Sequence, residues 1–497
     1  MSKIKRLFIL ALVFFGLLSC VSAVDYEGHF SGFVPKETLL DDWYGVYFSG
    51  TKVGWEHIEI TKGELGKEEI IRVRDDGVVL YRMEDEKNPM KNVSSGEVYL
   101  ASDDRLVGFR YTQTLVSHEL SIVGETKRGV VYIDVSSGGS TQRIKFNESE
   151  KIYPSTALSY FSLKEEIIPG KTYAYRVFLE PLRLVEDLTV TVEKEEEIDV
   201  NGKKEKAYLV RGKIRGYTIT SYVQADGRVV KQITMDNFVA LRQPQEEALL
   251  LDAGSGISMM DIINFSLVTP DRPITDPEGL ALLVLRIKGI PEGTRPLASD
   301  YQRIAGPDGE KGYTYTADLP DTTRLSVPPY GGFPTEVREY LLPSLEIESG
   351  HERIKDTVQE ITGKQADPLT DANKITLWVY KNLKKKMVDT TSALDTLVSM
   401  EGECQAHAHL LAALLRADGI PAKVVSGIVY AQDVGGFLYH SWNEIYLGAW
   451  VPVDATFGQF PADVTHIKFA EGGPESIIDT IPLVGAIGIE VLDMRRD

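Results

Sequence analysis

Between Trp43 and Phe238 hydrophobic and polar positions alternate with a period of two, in short runs that stop at Gly and Asn. Gly45-Val46-Tyr47-Phe48, Glu69-Ile70-Ile71-Arg72-Val73, Gly129-Val130-Val131-Tyr132-Ile133 and Leu188-Thr189-Val190-Thr191-Val192 are examples. Alternation of this kind, enriched in β-branched and aromatic residues, puts every second side chain on one face and predicts antiparallel sheet. Asn201-Gly202 and Asp226-Gly227 supply hairpin turns, the second between Ile219–Val223 and Val229–Ile233. The pattern predicts one large antiparallel β domain, or two, over residues 38–250.

Residues 251–277 are punctuated by Gly254, Gly256, Pro270, Pro273 and Pro277 and read as a linker. Strands led by Ala281–Ile287 then predict a small β module over 278–330, closed off by Pro328, Pro329, Gly331, Gly332 and Pro334. In the last domain, residues 345–497, the period changes. Asp371 to Lys385 is helical in pattern, with Ile375, Trp378, Val379 and Leu383 near one face and Asp371 as N-cap. Cys404 to Ala417 is apolar on nearly all faces, as a buried helix is, and Gly419 and Pro421 end it. Lys423–Tyr430, Phe437–Leu447 and Trp450–Thr456 read as strands. The expected architecture is therefore multidomain, antiparallel β followed by a C-terminal α+β domain.

The length of 497 residues exceeds one ordinary core, and a 43% hydrophobic content supports several packed ones. Residues 1–23 have leader anatomy: Lys3, Lys5 and Arg6, then an apolar run from Leu7 to Leu18 that is short for a membrane span. Leu17-Leu18-Ser19-Cys20 resembles a lipobox, which would lipidate Cys20 and tether the chain to a membrane. Val21-Ser22-Ala23 fits ordinary cleavage instead, giving a soluble exported protein. Both place the chain in the periplasm or cell envelope. Loss of Lys3, Lys5 and Arg6 takes the formal charge from −19 to −22. Such a surface repels phosphate backbones, so nucleic acid is not expected as a partner.

Beyond the leader one cysteine remains, Cys404, at the start of the apolar helix. A helix N-terminus carries partial positive charge and favours thiolate. His440 and Asp454 follow, completing a nucleophile, a base and an orienter. In a strand His440, Trp442, Glu444 and Tyr446 share a face, so Asp454 must return to that face to hold the imidazole. A two-residue loop Gly448-Ala449 would put Asp454 opposite Asn443, on the wrong face. A three-residue loop Leu447-Gly448-Ala449 puts it opposite Trp442 and diagonal to His440, so the longer loop is expected. Taken singly, Cys404 reads as a small core hydrophobe and His440 as a packed histidine. His407, one turn from Cys404, reads as a packed helix residue or as a group that tunes the thiol. Cys404, His407, His440 and His466 match no usual zinc spacing, and neither a metal nor another cofactor is expected.

Four segments carry a resemblance: Gly402-Glu403-Cys404-Gln405-Ala406-His407, Leu414 to Gly427, His440-Ser441-Trp442-Asn443-Glu444-Ile445-Tyr446, and Trp450-Val451-Pro452-Val453-Asp454-Ala455-Thr456. Together they resemble the transglutaminase-like superfamily, over roughly residues 365–470. The resemblance implies a papain-like core with Cys404 as nucleophile, His440 as base and Asp454 as orienter. It further implies acyl transfer on peptide or glutamine-type amides, by hydrolysis or by cross-linking, with a peptide or protein as substrate. An inactive surface binding or assembly protein on the same scaffold is the alternative. The family's oxyanion donors are the cysteine N–H and an upstream side chain. Trp378 is the only tryptophan upstream in that region, and the pattern alone packs it on its helix's apolar face.

Overall fold

The computed structural model describes the chain except residues 1–29, 83–87, 116–117, 138–139, 201, 216, 236, 253, 292–296, 308–311, 320, 364–365, 387–391, 473–476 and 497. The leader and Cys20 lie outside the described residues. The chain divides into two compact units, one ending at Asp261 and one starting at Ile262. No described helix is long and apolar enough to cross a membrane.

The first unit is built on a sheet of sixteen strands among the described residues. Strand Phe33–Phe48 lies at its middle. On one side of it the chain meanders outward to Ser140–Asn147, and on the other Phe238–Gln243 begins a second meander that runs back to Ile152–Pro154. Successive neighbours are antiparallel, as the alternation predicts, apart from the parallel pairing of Ile152–Pro154 with Thr172–Leu179. The Asp226-Gly227 hairpin forms: Tyr217–Val223 pairs with Val229–Thr234, and Gly227 takes φ +87° in the turn. Leu184–Val200 likewise pairs with Lys203–Ile214 on either side of Asn201-Gly202, of which Asn201 is outside the described residues. The segment read as linker is not structureless. Ile257–Ser258 pairs parallel with Tyr81 and Arg82, and Met259–Ser266 is a helix.

In the second unit, strands Leu280–Lys288, Gln302–Ala305 and Tyr313–Asp318 form a four-stranded sheet whose remaining member is Gly488–Arg496. The stretch expected as a module of its own over 278–330 thus shares a sheet with the far end of residues 345–497. Local patterning carries no information on that pairing, because the partner lies about two hundred residues away. The rest is α+β. The helix Cys404–Asp418 is wrapped by helices Glu352–Thr362, Pro368–Asn382 and Ala393–Ser399. It also packs on a sheet ordered Trp450–Val453, Gly436–Tyr446, Ala422–Ala431, Ile467–Glu471. Leu410, Leu411, Leu414 and Leu415 are wholly buried in this core with Ile375, Val379 and Ile445. Gly419 caps the helix at φ +93°, which suits a residue without Cβ.

One boundary is corrected. The helix expected to start at Asp371 begins at Pro368, and its N-cap is Asp367, whose carboxylate accepts the N–H groups of Leu369 and Thr370 at 3.1 and 3.0 Å. The Asp-Pro dipeptide is the start signal, since proline at the first helical position gives up an N–H that is orphaned anyway. Asp371 sits inside the helix, fully buried, and accepts from the Tyr330 hydroxyl at 2.8 Å.

Candidate active site

Cys404 is the first residue of its helix and 1% exposed. The helix starts there because Glu403 caps it: one carboxylate oxygen accepts the Gln405 N–H at 2.8 Å and the other the Ala406 N–H at 3.0 Å. The helix docks on the strand Gly436–Tyr446, where the Asn443 amide donates to the Ala408 carbonyl at 2.9 Å. The same docking brings the Cys404 sulfur to the backbone of the histidine strand, where the Ser441 N–H donates to it.

The hairpin that carries Asp454 has the expected register. Tyr446 pairs with Trp450 and Asn443 with Val453 around the three-residue loop Leu447–Ala449, in which Gly448 takes φ +94°. Continuing that register by one residue puts Asp454 opposite Trp442 and diagonal to His440, and the two side chains meet. His440 Nε2 lies 2.7 Å from Asp454 Oδ2, both groups fully buried. The carboxylate is itself anchored, because Oδ1 accepts the N–H groups of Thr456 and Phe457 at 2.6 and 3.2 Å.

This bond settles the tautomer. Nε2 carries the hydrogen that points at the carboxylate, and Nδ1 is buried with its lone pair bare of any hydrogen-bond partner. An imidazole held through Nε2 with Nδ1 unpartnered is the arrangement a general base requires.

His466, weighed from the sequence only as a zinc ligand, has a different place. Its Nε2 lies 3.0 Å from Asp454 Oδ2 and its Nδ1 3.0 Å from the Asp463 carbonyl. Both acceptors are oxygen, so both ring nitrogens carry hydrogen and the ring is an imidazolium. Burial alone would lower its pKa, but Asp454 and Asp463 outweigh that and raise it to about 10. In return Asp454, despite the penalty of burial, is held far below the usual carboxylate range by His440 and His466. One carboxylate therefore serves two imidazoles. Nothing in the spacing announces this, because His466 comes from the irregular segment after the hairpin, where no period fixes a face.

Among the described residues, His440, Asp454 and His466 are a group whose ligand atoms lie within 4.8 Å of one another, and Cys404 and His407 are not members of it. His407 is a packed, neutral helix residue. Burial lowers its pKa to about 4, and its Nδ1–H donates to the Glu403 carbonyl at 2.8 Å. Trp378 packs against the hydrophobic core from its helix, as the apolar-face reading expects.

The electrostatics of the thiol run against the expectation from its helix. Burial pushes the Cys404 pKa well above its ordinary value, the neighbouring Glu403 charge pushes it further, and the Ser441 N–H offsets only part of this. The thiol donates to Glu403 Oε2 at 3.3 Å. The group is at rest a thiol, not a thiolate. Beside the histidine, Phe457 lies 5.0 Å from the His440 ring and also lines a cavity of about 280 Å3, with Tyr380, Lys385, Leu438 and Gln459.

Residues 355–455 match the family model of the transglutaminase-like superfamily. The chain is 29% identical over 168 residues to an uncharacterised protein of Haemophilus influenzae, covering 28% of this chain and 43% of that one. It is 32% identical over 101 residues to an uncharacterised protein of Mycobacterium leprae, covering 19% and 35%. The chain thus spans less than half the length of these relatives. Among solved structures, a candidate cysteine protease of Cytophaga hutchinsonii is similar at 20% identity and TM-score 0.30, over 44% of this chain and 86% of that one. A β-barrel-like domain of unknown function from Brucella abortus is similar at 15% identity and TM-score 0.28, over 41% and 94%. Scores this low carry no weight for fold or function.

Proposed function

We propose, from the transglutaminase-like domain of residues 355–455, that this chain is a cysteine acyl-transfer enzyme that hydrolyses peptide or glutamine-type amides through Cys404, His440 and Asp454. The observation that carries the reading is the His440 ring. Asp454 holds it through Nε2, and its Nδ1 is bare next to the strand residue that hydrogen-bonds the Cys404 sulfur. In the first half-reaction the Cys404 S–H proton passes to His440 Nδ1 and the sulfur adds to the amide carbon. The carbonyl oxygen becomes an oxyanion facing the Cys404 N–H, one of the donors that a helix leaves unpaired in its first turn. Collapse breaks the C–N bond, the amine leaves with the proton from His440, and a thioester remains. In the second half-reaction His440 takes a proton from water, hydroxide adds to the thioester carbon, and the released sulfur recovers its proton from Nδ1. An amine in place of water gives transamidation by the same steps. Water is favoured as acceptor because an exported protein meets it in excess. The cavity beside Phe457 offers the substrate a place next to the base.

The neutral thiol, bonded to Glu403 rather than to His440, favours a second reading: a binding or assembly protein on a retired scaffold. A protein digest incubated with the intact chain separates the two. Peptides are read by mass spectrometry for new termini, deamidated glutamine and cross-links, beside Cys404→Ala and Asp454→Asn. Turnover is expected in the wild type, absent in Cys404→Ala and lowered roughly a thousandfold or more in Asp454→Asn. Equal turnover in Cys404→Ala sinks the enzymatic reading, and no turnover in any of the three moves the binding reading ahead. Export belongs to the same proposal. Mass determination of the mature N-terminus distinguishes a diacylated Cys20 from cleavage after Ala23.

A further inference from the structure

The N-terminal unit holds a cavity of about 260 Å3, walled by its first three strands, the second meander and the segment Ser155–Ile167. For comparison, a cavity of about 150 Å3 in another protein accommodates benzene. Most of the wall is apolar, with Phe161, Leu188, Val190, Val210 and Ile219 among its residues. Three carboxyl-bearing residues, Glu56, Asp75 and Glu165, interrupt it, and the first two form a pair. Ile58 pairs with Asp75 and Glu56 with Gly77 across adjacent strands, so Glu56 and Asp75 are diagonal neighbours on one face, both lining the cavity. No Lys, Arg or His is among the described residues that line it. Asp75 Oδ1 is buried and accepts no hydrogen bond.

Two acids with no cation between them are an expensive use of an apolar cavity wall. Burial raises Glu56 to about 7 and puts Asp75 well above the usual carboxylate range, with the Glu56 charge adding to the latter. Hydrophobic side chains would fill the same positions at lower free energy. What satisfies both carboxyls together, including the bare Oδ1, is a compact cation with several N–H donors, and what satisfies the remaining wall is hydrocarbon.

We propose that this cavity binds an amphipathic primary amine, its ammonium between Glu56 and Asp75 and its hydrocarbon body against Leu188, Val190, Val210 and Ile219. The site lies wholly within the first unit and does not rest on the reading of Cys404.

Isothermal titration calorimetry at neutral pH tests it, on the full chain carrying Cys404→Ala so that no acyl transfer to the amine contributes heat. The probes are n-hexylamine, 1-hexanol and hexanoate. The amine is expected to bind about tenfold or more tighter than the alcohol, as a charged hydrogen bond implies. Glu56→Gln with Asp75→Asn is expected to erase that margin and leave alcohol binding in place. A second variant works by volume. Gly212 lines the cavity and a Cβ there meets Leu188 and Ile219 at 3.5 and 3.6 Å, ordinary contact, so Gly212→Leu adds its side chain to the cavity wall and is expected to abolish binding of all three probes. If the double variant does not fold, the probe comparison and Gly212→Leu still decide. Equal affinity for amine and alcohol, tighter binding of hexanoate, amine binding that survives Gly212→Leu, or no amine binding by the folded protein would each overturn the proposal.

Discussion

At the scale of residues, the neighbour that caps the cysteine helix also opposes the charge the cysteine would need. Glu403 gives its oxygens to the N–H groups of Gln405 and Ala406, and the Cys404 thiol donates to one of them. Substrate entry that displaces the thiol from Glu403 would free the proton for His440 Nδ1. Glu403→Gln keeps one capping acceptor and removes the negative charge, so the thiol pKa is expected to fall. Iodoacetamide alkylation of Cys404 followed against pH should then show an apparent pKa lower by up to about one unit, a rate at neutral pH up to roughly tenfold higher. An unchanged or raised apparent pKa would remove Glu403 from this role. None of this was legible in the sequence. The helix start and its lone cysteine were, but burial and the direction of the Glu403 side chain are properties of packing.

At the scale of elements, the hairpin from Gly436 to Val453 shows what a period can determine. Alternation fixes His440's face, and the parity of the loop then fixes whether Asp454 shares it, so a three-residue loop was derivable from the residues that must meet. His466 was not derivable, because the segment from Asp454 to His466 has no period to extrapolate. The Asp367-Pro368 start was written in the sequence, and the apolar pattern alone misplaces it by one turn. Gly448 holds the loop at φ +94°, and a Cβ there would lie 2.5 Å from the Ser326 carbonyl oxygen. Gly448→Val is therefore expected to destabilise the second unit by about 1–3 kcal/mol, read as a lower urea midpoint. Its turnover should also fall, because the loop positions Asp454 while touching no substrate. A midpoint equal to the wild type would show that the loop relaxes and the register is held by other contacts.

At the scale of the molecule, the chain of Asp463, His466, Asp454 and His440 links the site to pH-dependent stability. His466 is raised to about 10 in the folded protein, against about 6.5 unfolded, so its contribution is complete below about 6.5 and is lost as pH rises toward 10. Asp463 has the opposite sign. Burial is outweighed by His466 and it is lowered to about 2, so its contribution is present above about 4 and lost as pH falls toward 2. Melting temperatures are expected to decline from pH 6.5 to 10, and His466→Gln should flatten that limb; an identical slope in the variant would break the assignment. The same unit carries the pairing that the sequence concealed. Strand Leu280–Lys288, with Leu283, Leu285 and Ile287 wholly buried, has Gly488–Arg496 as one of its two neighbours, and Asp271 and Arg272 hold that outer strand through the N–H and carbonyl of Val491. At about 5–20 residues per second, a ribosome needs roughly 10–40 s to make the two hundred residues between the partners. For that interval Leu280–Lys288 is a hydrophobic strand with an open edge, the kind that recruits other chains. The sheet around Leu280–Lys288 therefore closes only once Gly488–Arg496 has been made, and until then a cell that makes this chain has to keep that edge from its neighbours for tens of seconds.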